Sequence, residues 1–151
     1  MNSVVSTPPN IKVFNQVAAK VLVQLHDSFP TPVNIDPLVV GMDVVLEEEY
    51  VPESAEYKHL VTAAEATIRF LIDENFVRIA HGPQYLEVRG FQNIVLTSKG
   101  FSLLQRTPES IDSTVDRRSY FERFKSLTAS GAKVVASEAV GPLIARFLGS
   151  G

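Results

Sequence analysis

The sequence has no cysteine among its 151 residues. This absence excludes disulfides, thiolate nucleophiles and cysteine-ligated zinc sites. The three histidines, His26, His59 and His81, are isolated from one another, and no ligand spacing around them indicates a metal site. We therefore predict a protein that holds neither a metal nor a cofactor.

Long apolar runs are also missing. No uninterrupted run approaches the roughly 18 to 20 residues that a membrane-spanning helix requires, and the N-terminus lacks the basic start and apolar core of a secretory signal. Hydrophobic residues make up 45% of the chain and charged residues 21%, which is typical of a globular domain with one core. These features predict a cytoplasmic protein with no membrane partner.

A strong positive charge is absent as well. The net charge is −3 and the pI is near 5.6, which argues weakly against nucleic-acid binding because phosphate neutralisation dominates that affinity. Acidic residues are concentrated in one segment and comprise Asp43, Glu47, Glu48, Glu49, Glu53 and Glu56. A basic cluster follows later and comprises Arg117, Arg118, Arg123 and Lys125. We favour solvated side chains, or pairs with the glutamates at 47–49, over a basic patch for nucleic acid or acidic lipid.

The first third of the chain predicts two helices and a strand. Apolar residues at i, i+3 and i+4 spacing predict a core-facing helix over about 14–28. Residues 33–35 predict a short strand. Asp36 is a predicted N-cap for a short helix over about 37–42, whose first residue is a proline.

A second long amphipathic segment covers residues 54–72. Thr62 and Glu65 within it have the spacing of a capping box, in which a hydroxyl and a carboxylate satisfy the first free amides of a helix. A break near Thr62 is therefore an open alternative. With that break, residues 63–74 form a separate helix in the position of a recognition helix.

The next elements are predicted to be a hairpin and a helix. Residues 76–79 and 93–96 predict two pairing strands, with a wing over 80–93 that contains glycine and proline. Thr97 is a predicted N-cap for a helix over 98–105. This order of elements is the layout of a winged helix-turn-helix domain.

The segments AEATIRFLIDENFVRI and VLTSKGFSLLQ resemble bacterial winged-helix proteins of uncharacterised function. Asn75 stands where such junctions prefer glycine, and asparagine tolerates the same left-handed conformation. The resemblance implies an α+β fold, a winged helix-turn-helix with a small antiparallel sheet and additional C-terminal helices. We expect a flexible arm over 1–10, the winged-helix domain over 11–107 and a helical extension over 108–151.

The extension predicts one helix over 112–127 and a final apolar segment over 132–148. The apolar side chains of this segment must be buried, either against its own domain or against a second subunit. We expect a homodimer. The candidate interface residues are Tyr85, Leu86 and Phe91 in the wing and Tyr120, Phe124, Val140, Ile144 and Phe147 in the extension.

A DNA-reading helix usually carries several basic or amide side chains. Residues 63–74 supply one arginine among three carboxylates, which favours a protein-contacting helix. The candidate nucleic-acid contacts are Arg69, Arg78, Arg89, Gln92 and Lys99.

No motif indicates catalysis. The glutamates at 47–49 are typical of a solvated surface, and Ser98 lacks the full nucleophile-elbow motif. We predict a non-enzymatic protein-interaction or dimerisation module with no small-molecule substrate. The alternative is a DNA-binding transcriptional regulator that uses the helix 63–74 and the wing 80–93.

Overall fold

The computed structural model describes residues 9–44, 55–108, 116–128 and 133–151. Its elements, in chain order, are α1 Pro9–Ser28, β1 Val33–Ile35, α2 Pro37–Val44, α3 Ala55–Asp73, β2 Val77–Ile79, β3 Phe91–Leu96, α4 Ser98–Gln105, α5 Tyr120–Thr128 and α6 Lys133–Gly149. Helices combined with a small antiparallel sheet confirm the expected α+β class. None of the described helices is long and apolar enough to cross a membrane.

The helix α1 begins at Pro9, earlier than the predicted start near residue 14. Proline suits the first turn because its missing N–H would have no partner within the helix there. Pro9 and Asn10 are thus helical, while residues 1–8 of the predicted arm lie outside the described residues.

The three strands form one antiparallel sheet in the order β1-β3-β2. In the hairpin, Val77 pairs with Leu96 and Ile79 with Ile94, which confirms the predicted strand pairing. β1 pairs with the other edge of β3, where Val33 lies opposite Ile94. The connection between β2 and β3, residues 80–90, is called the wing below.

The helix α3 is continuous from Ala55 to Asp73, so the break near Thr62 does not occur. One stripe of this helix is buried throughout and comprises Leu60, Ala64, Ile68 and Leu71. Because that stripe packs on α1 and α2 across the site of the local capping signal, tertiary packing overrides the signal. α3 ends at Asp73, and Asn75, two residues later, adopts the left-handed conformation expected at this junction, with a φ of 63°.

The C-terminal helices α5 and α6 pack against α1 and against each other. α5 begins at Tyr120, later than the predicted helix over 112–127, of which residues 112–115 lie outside the described residues. Ser119 and Glu122 form a capping box at this start: the Ser119 hydroxyl accepts from the Glu122 amide at 3.1 Å, and the Glu122 carboxylate accepts from the Ser119 amide at 3.2 Å.

Candidate functional site

A groove of about 550 Å³ runs between α3, the start of α2 and the wing. We call it the α3–wing groove, and its lining residues are Asp36, Pro37, Leu38, Val61, Glu65, Arg69, Ile79, Gln84, Arg89, Gly90, Phe91 and Gln92. Both apolar and polar side chains line it, as is usual for a site that binds another molecule.

The helix α3 supplies one wall of the groove. Val61, Glu65 and Arg69 follow one another at intervals of four residues and therefore lie on one face of the helix. The Arg69 guanidinium donates to the Glu65 carboxylate at 3.1 Å, so each charge offsets the other. The same guanidinium lies 5.3 Å from the centre of the Phe91 ring, within the range of a cation–π contact.

The sheet side of the groove is lined by apolar side chains and is called its floor below. Ile79 from β2 and Phe91 from β3 lie there, and Ile79 keeps an exposed fraction of 54%. Gly90 joins the wing to β3 with a φ of +91°, and a Cβ at this position would lie 2.4 Å from the carbonyl oxygen of Ile35. Only glycine permits this approach, which brings the end of the wing against the end of β1.

The wing is held in shape by amide side chains from β3. Gln92 donates to the Tyr85 carbonyl and accepts from the Tyr85 amide, both at 2.8 Å. Asn93 donates to the Pro83 carbonyl at 3.1 Å. These bonds leave Tyr85 and Leu86 at the tip of the wing, where the exposed fraction of Leu86 is 106% of its reference value.

Three of the five candidate nucleic-acid contacts line the groove. Arg69, Arg89 and Gln92 line the groove, whereas Arg78 and Lys99 do not. Lys99 donates to the carbonyl of Glu74 at 3.0 Å and lies over the Phe76 ring at 4.3 Å, so it stabilises the end of α3.

The candidate interface residues divide in a similar way. Tyr85 and Leu86 are exposed on the wing, and Phe91 lines the groove. The residues of the extension are buried within the single chain, with exposed fractions between 0% and 3%, and comprise Tyr120, Phe124, Val140, Ile144 and Phe147. They cover the domain's own core, since α5 and α6 pack on α1, and in this structure they offer no surface to a partner.

Three of the four basic side chains of the cluster form ion pairs within the chain. Asp116 forms ion pairs with Arg118 at 2.9 Å and with Arg123 at 3.5 Å, and Lys125 pairs with Asp27 at 3.3 Å. Hydrogen bonds from the Arg118 side chain hold the pKa of Asp116 well below its usual range, and the same contact raises the pKa of Arg118. The predicted glutamate partners at 47–49 lie outside the described residues.

His26 has a packing role. His26 lies within 2.6 Å of the Gln105 side-chain oxygen and stacks on Phe121, with ring centres 3.6 Å apart. Within the described ranges, no three histidine or carboxylate side chains lie close enough together to hold a metal ion.

No protein-family model matches this chain, and no curated protein and no solved structure shows significant similarity to it. What the α3–wing groove binds must therefore be inferred from its own side chains.

Proposed function

We propose that this protein is a non-enzymatic protein-interaction module on a winged-helix scaffold, and that the α3–wing groove binds an apolar segment of a protein partner. The observation that carries the proposal is the half-exposed Ile79 beside Phe91 on the groove floor. An exposed branched side chain in a concave site gains free energy when an apolar partner covers it, roughly 25 cal/mol for each Å² removed from water.

The winged-helix relationship rests on the order of the first six elements. Helix, strand, helix, helix and a two-stranded hairpin, with the first strand added to the hairpin's second strand, is the arrangement expected of that fold. The proposal places α3 as the recognition helix and residues 80–90 as the wing. Fold alone does not determine what such a scaffold binds, so the side chains decide.

Charge in and around the groove favours protein over DNA. Glu65 offsets Arg69 within the groove, and Asp73 and Glu74 are exposed at the end of α3. A polyanion would be repelled by these carboxylates and would meet little uncompensated positive charge on α3. A peptide with apolar side chains gains from the groove floor without that repulsion.

The test compares two aspartate substitutions on full-length protein. Ile79→Asp places a carboxylate on the groove floor, and Val39→Asp is its matched control, since Val39 is 56% exposed on α2 and does not line the groove. Peptides selected from a random displayed library on the wild-type chain should carry two or more apolar residues. Ile79→Asp should weaken their binding at least about tenfold in fluorescence anisotropy, and Val39→Asp should leave it unchanged. Equal affinities of both variants for the selected peptides would refute the groove as the binding site.

DNA binding is the alternative function, favoured by the two arginines that line one groove, Arg69 and Arg89. It predicts that the chain binds labelled duplex DNA, that the affinity falls as salt rises, and that Arg89→Ala weakens it. Anisotropy measured from about 0.02 M salt upward decides the matter. Absence of binding at the lowest salt concentration would eliminate this alternative.

A further inference from the structure

The wing tip presents an apolar knob that its own chain does not cover. Leu86 has an exposed fraction of 106% and Tyr85 of 56%, and both lie at the end of a loop fixed by Gln92 and Asn93. A fixed loop loses little conformational freedom on binding, which favours association. A fully exposed leucine on such a loop is therefore suited to insertion into an apolar site.

Two opposite charges follow Tyr85 and Leu86 along the wing. Glu87 and Arg89 are both exposed, and among the described residues neither has an ion-pair or hydrogen-bond partner. Arg89 lines the α3–wing groove, whereas Glu87 lies on the wing beside Leu86. The chain thus carries an exposed apolar wing tip next to the negative charge of Glu87. It also carries an apolar groove that is lined by the positive charge of Arg89.

We infer that the occupant of the α3–wing groove is the wing tip of a second copy of this chain, in a reciprocal dimer. Leu86 of each copy contacts Ile79 and Phe91 of the other, and Glu87 pairs with Arg89 of the other. A two-fold axis requires such self-complementarity, because any contact from one copy must be returned by the other. The inference rests on the proposed binding function of the groove and names its partner.

The complementary charges make the second copy a better fit than an unrelated apolar segment. A dimer of this kind places both Glu87–Arg89 pairs at the rim of an apolar contact, where charge sets register and specificity. The contact is small, so we expect a dissociation constant on the order of micromolar.

A charge exchange tests this arrangement with full-length chains in sedimentation velocity over about a hundredfold range of concentration. Wild type should dimerise. Glu87→Arg brings two arginines together in its homodimer, and Arg89→Glu brings two glutamates together, so each variant alone should associate at least about tenfold more weakly. An equimolar mixture of the two should recover the dimer, because every Arg then meets a Glu. The double variant Glu87→Arg/Arg89→Glu should also dimerise.

Two apolar substitutions complete the experiment. Leu86→Asp and Ile79→Asp should each prevent dimerisation, and Val39→Asp should not. A wild-type chain that stays monomeric, single variants that dimerise as wild type does, or a mixture that fails to recover would each overturn the second-copy inference. Loss of this inference leaves the groove itself intact if selected peptides still distinguish Ile79→Asp from Val39→Asp, so the two proposals fail separately.

Discussion

Replacement of Phe147 by alanine is the strongest test of how the C-terminal helices are used. Phe147 is fully buried, with an exposed fraction of 0%. Its ring centre lies 5.3 Å from that of Phe76, 5.4 Å from that of Tyr120 and 5.7 Å from that of Phe124. It therefore joins α6 both to α5 and to Phe76, the residue before β2.

The expected loss follows from these contacts. Truncation of a buried phenylalanine to alanine costs about 3 to 5 kcal/mol, through lost transfer free energy and the cavity left behind. The three aromatic neighbours exclude the lower end of that range for Phe147, since each favourable ring pair adds roughly 0.5 to 1.5 kcal/mol. We expect a loss of about 4 kcal/mol in the free energy of unfolding. For a chain of this length, this lowers the melting temperature by roughly 8 to 16 °C.

Urea titration followed by circular dichroism measures this loss, and Leu86→Ala provides the control. Leu86 is also a large apolar residue, but it is fully exposed, so its truncation should leave the stability of the monomer within about 0.5 kcal/mol. A loss of less than about 1 kcal/mol for Phe147→Ala, together with a change in oligomeric state, would refute the burial of α6 in its own chain and restore an intersubunit role.

Three further substitutions test local features. Thr97→Val removes the hydroxyl that accepts from the Gly100 amide at 3.0 Å and caps α4, so it should cost about 1 kcal/mol in urea titration; unchanged stability would contradict the cap. Gly100→Ala should lower the stability by more than Thr97→Val, because a Cβ there would lie 2.2 Å from the carbonyl oxygen of Phe76. A melting temperature equal to that of the wild type would contradict so close an approach. Asp116 should titrate below the usual carboxyl range by NMR, since hydrogen bonds from Arg118 lower its pKa. The ionised Asp116 carboxylate stabilises the fold above its unfolded pKa, and this stabilisation is lost as pH falls through the lowered folded pKa. Asp116→Asn should therefore remove this part of the loss of stability at acid pH.

Local signals in the sequence predicted those elements whose ends are determined by backbone chemistry. Asp36 caps α2 as expected, because its carboxylate accepts from the Leu38 amide at 2.9 Å. Thr97 caps α4, and Asn75 adopts a left-handed conformation two residues after the end of α3. Each of these features depends on a few neighbouring residues, which is why the pattern alone was sufficient.

Features that depend on packing could not be predicted in the same way. Thr62 and Glu65 have the spacing of a capping box, but the buried stripe of α3 continues past them without a break. Glu65 forms an ion pair with Arg69 instead of capping a helix. The apolar pattern of α6 predicted burial, yet it could not distinguish its own domain from a second subunit. That distinction requires knowing that α1 offers a face to α6, which is a long-range property of the fold.

The groove shows why residue type alone is a weak guide to a binding site. Arg69 and Gln92 were candidate nucleic-acid contacts because of their side-chain chemistry. In the structure, the Arg69 side chain contacts Glu65 and Phe91. The Gln92 side chain hydrogen-bonds to the backbone of the wing. Of the three candidates that line the groove, Arg89 alone has no partner among the described residues. Its free charge lies two residues from the equally unpaired Glu87 and not within a basic field. A polyanion would be attracted by one of these charges and repelled by the other, whereas a second copy of the chain satisfies both.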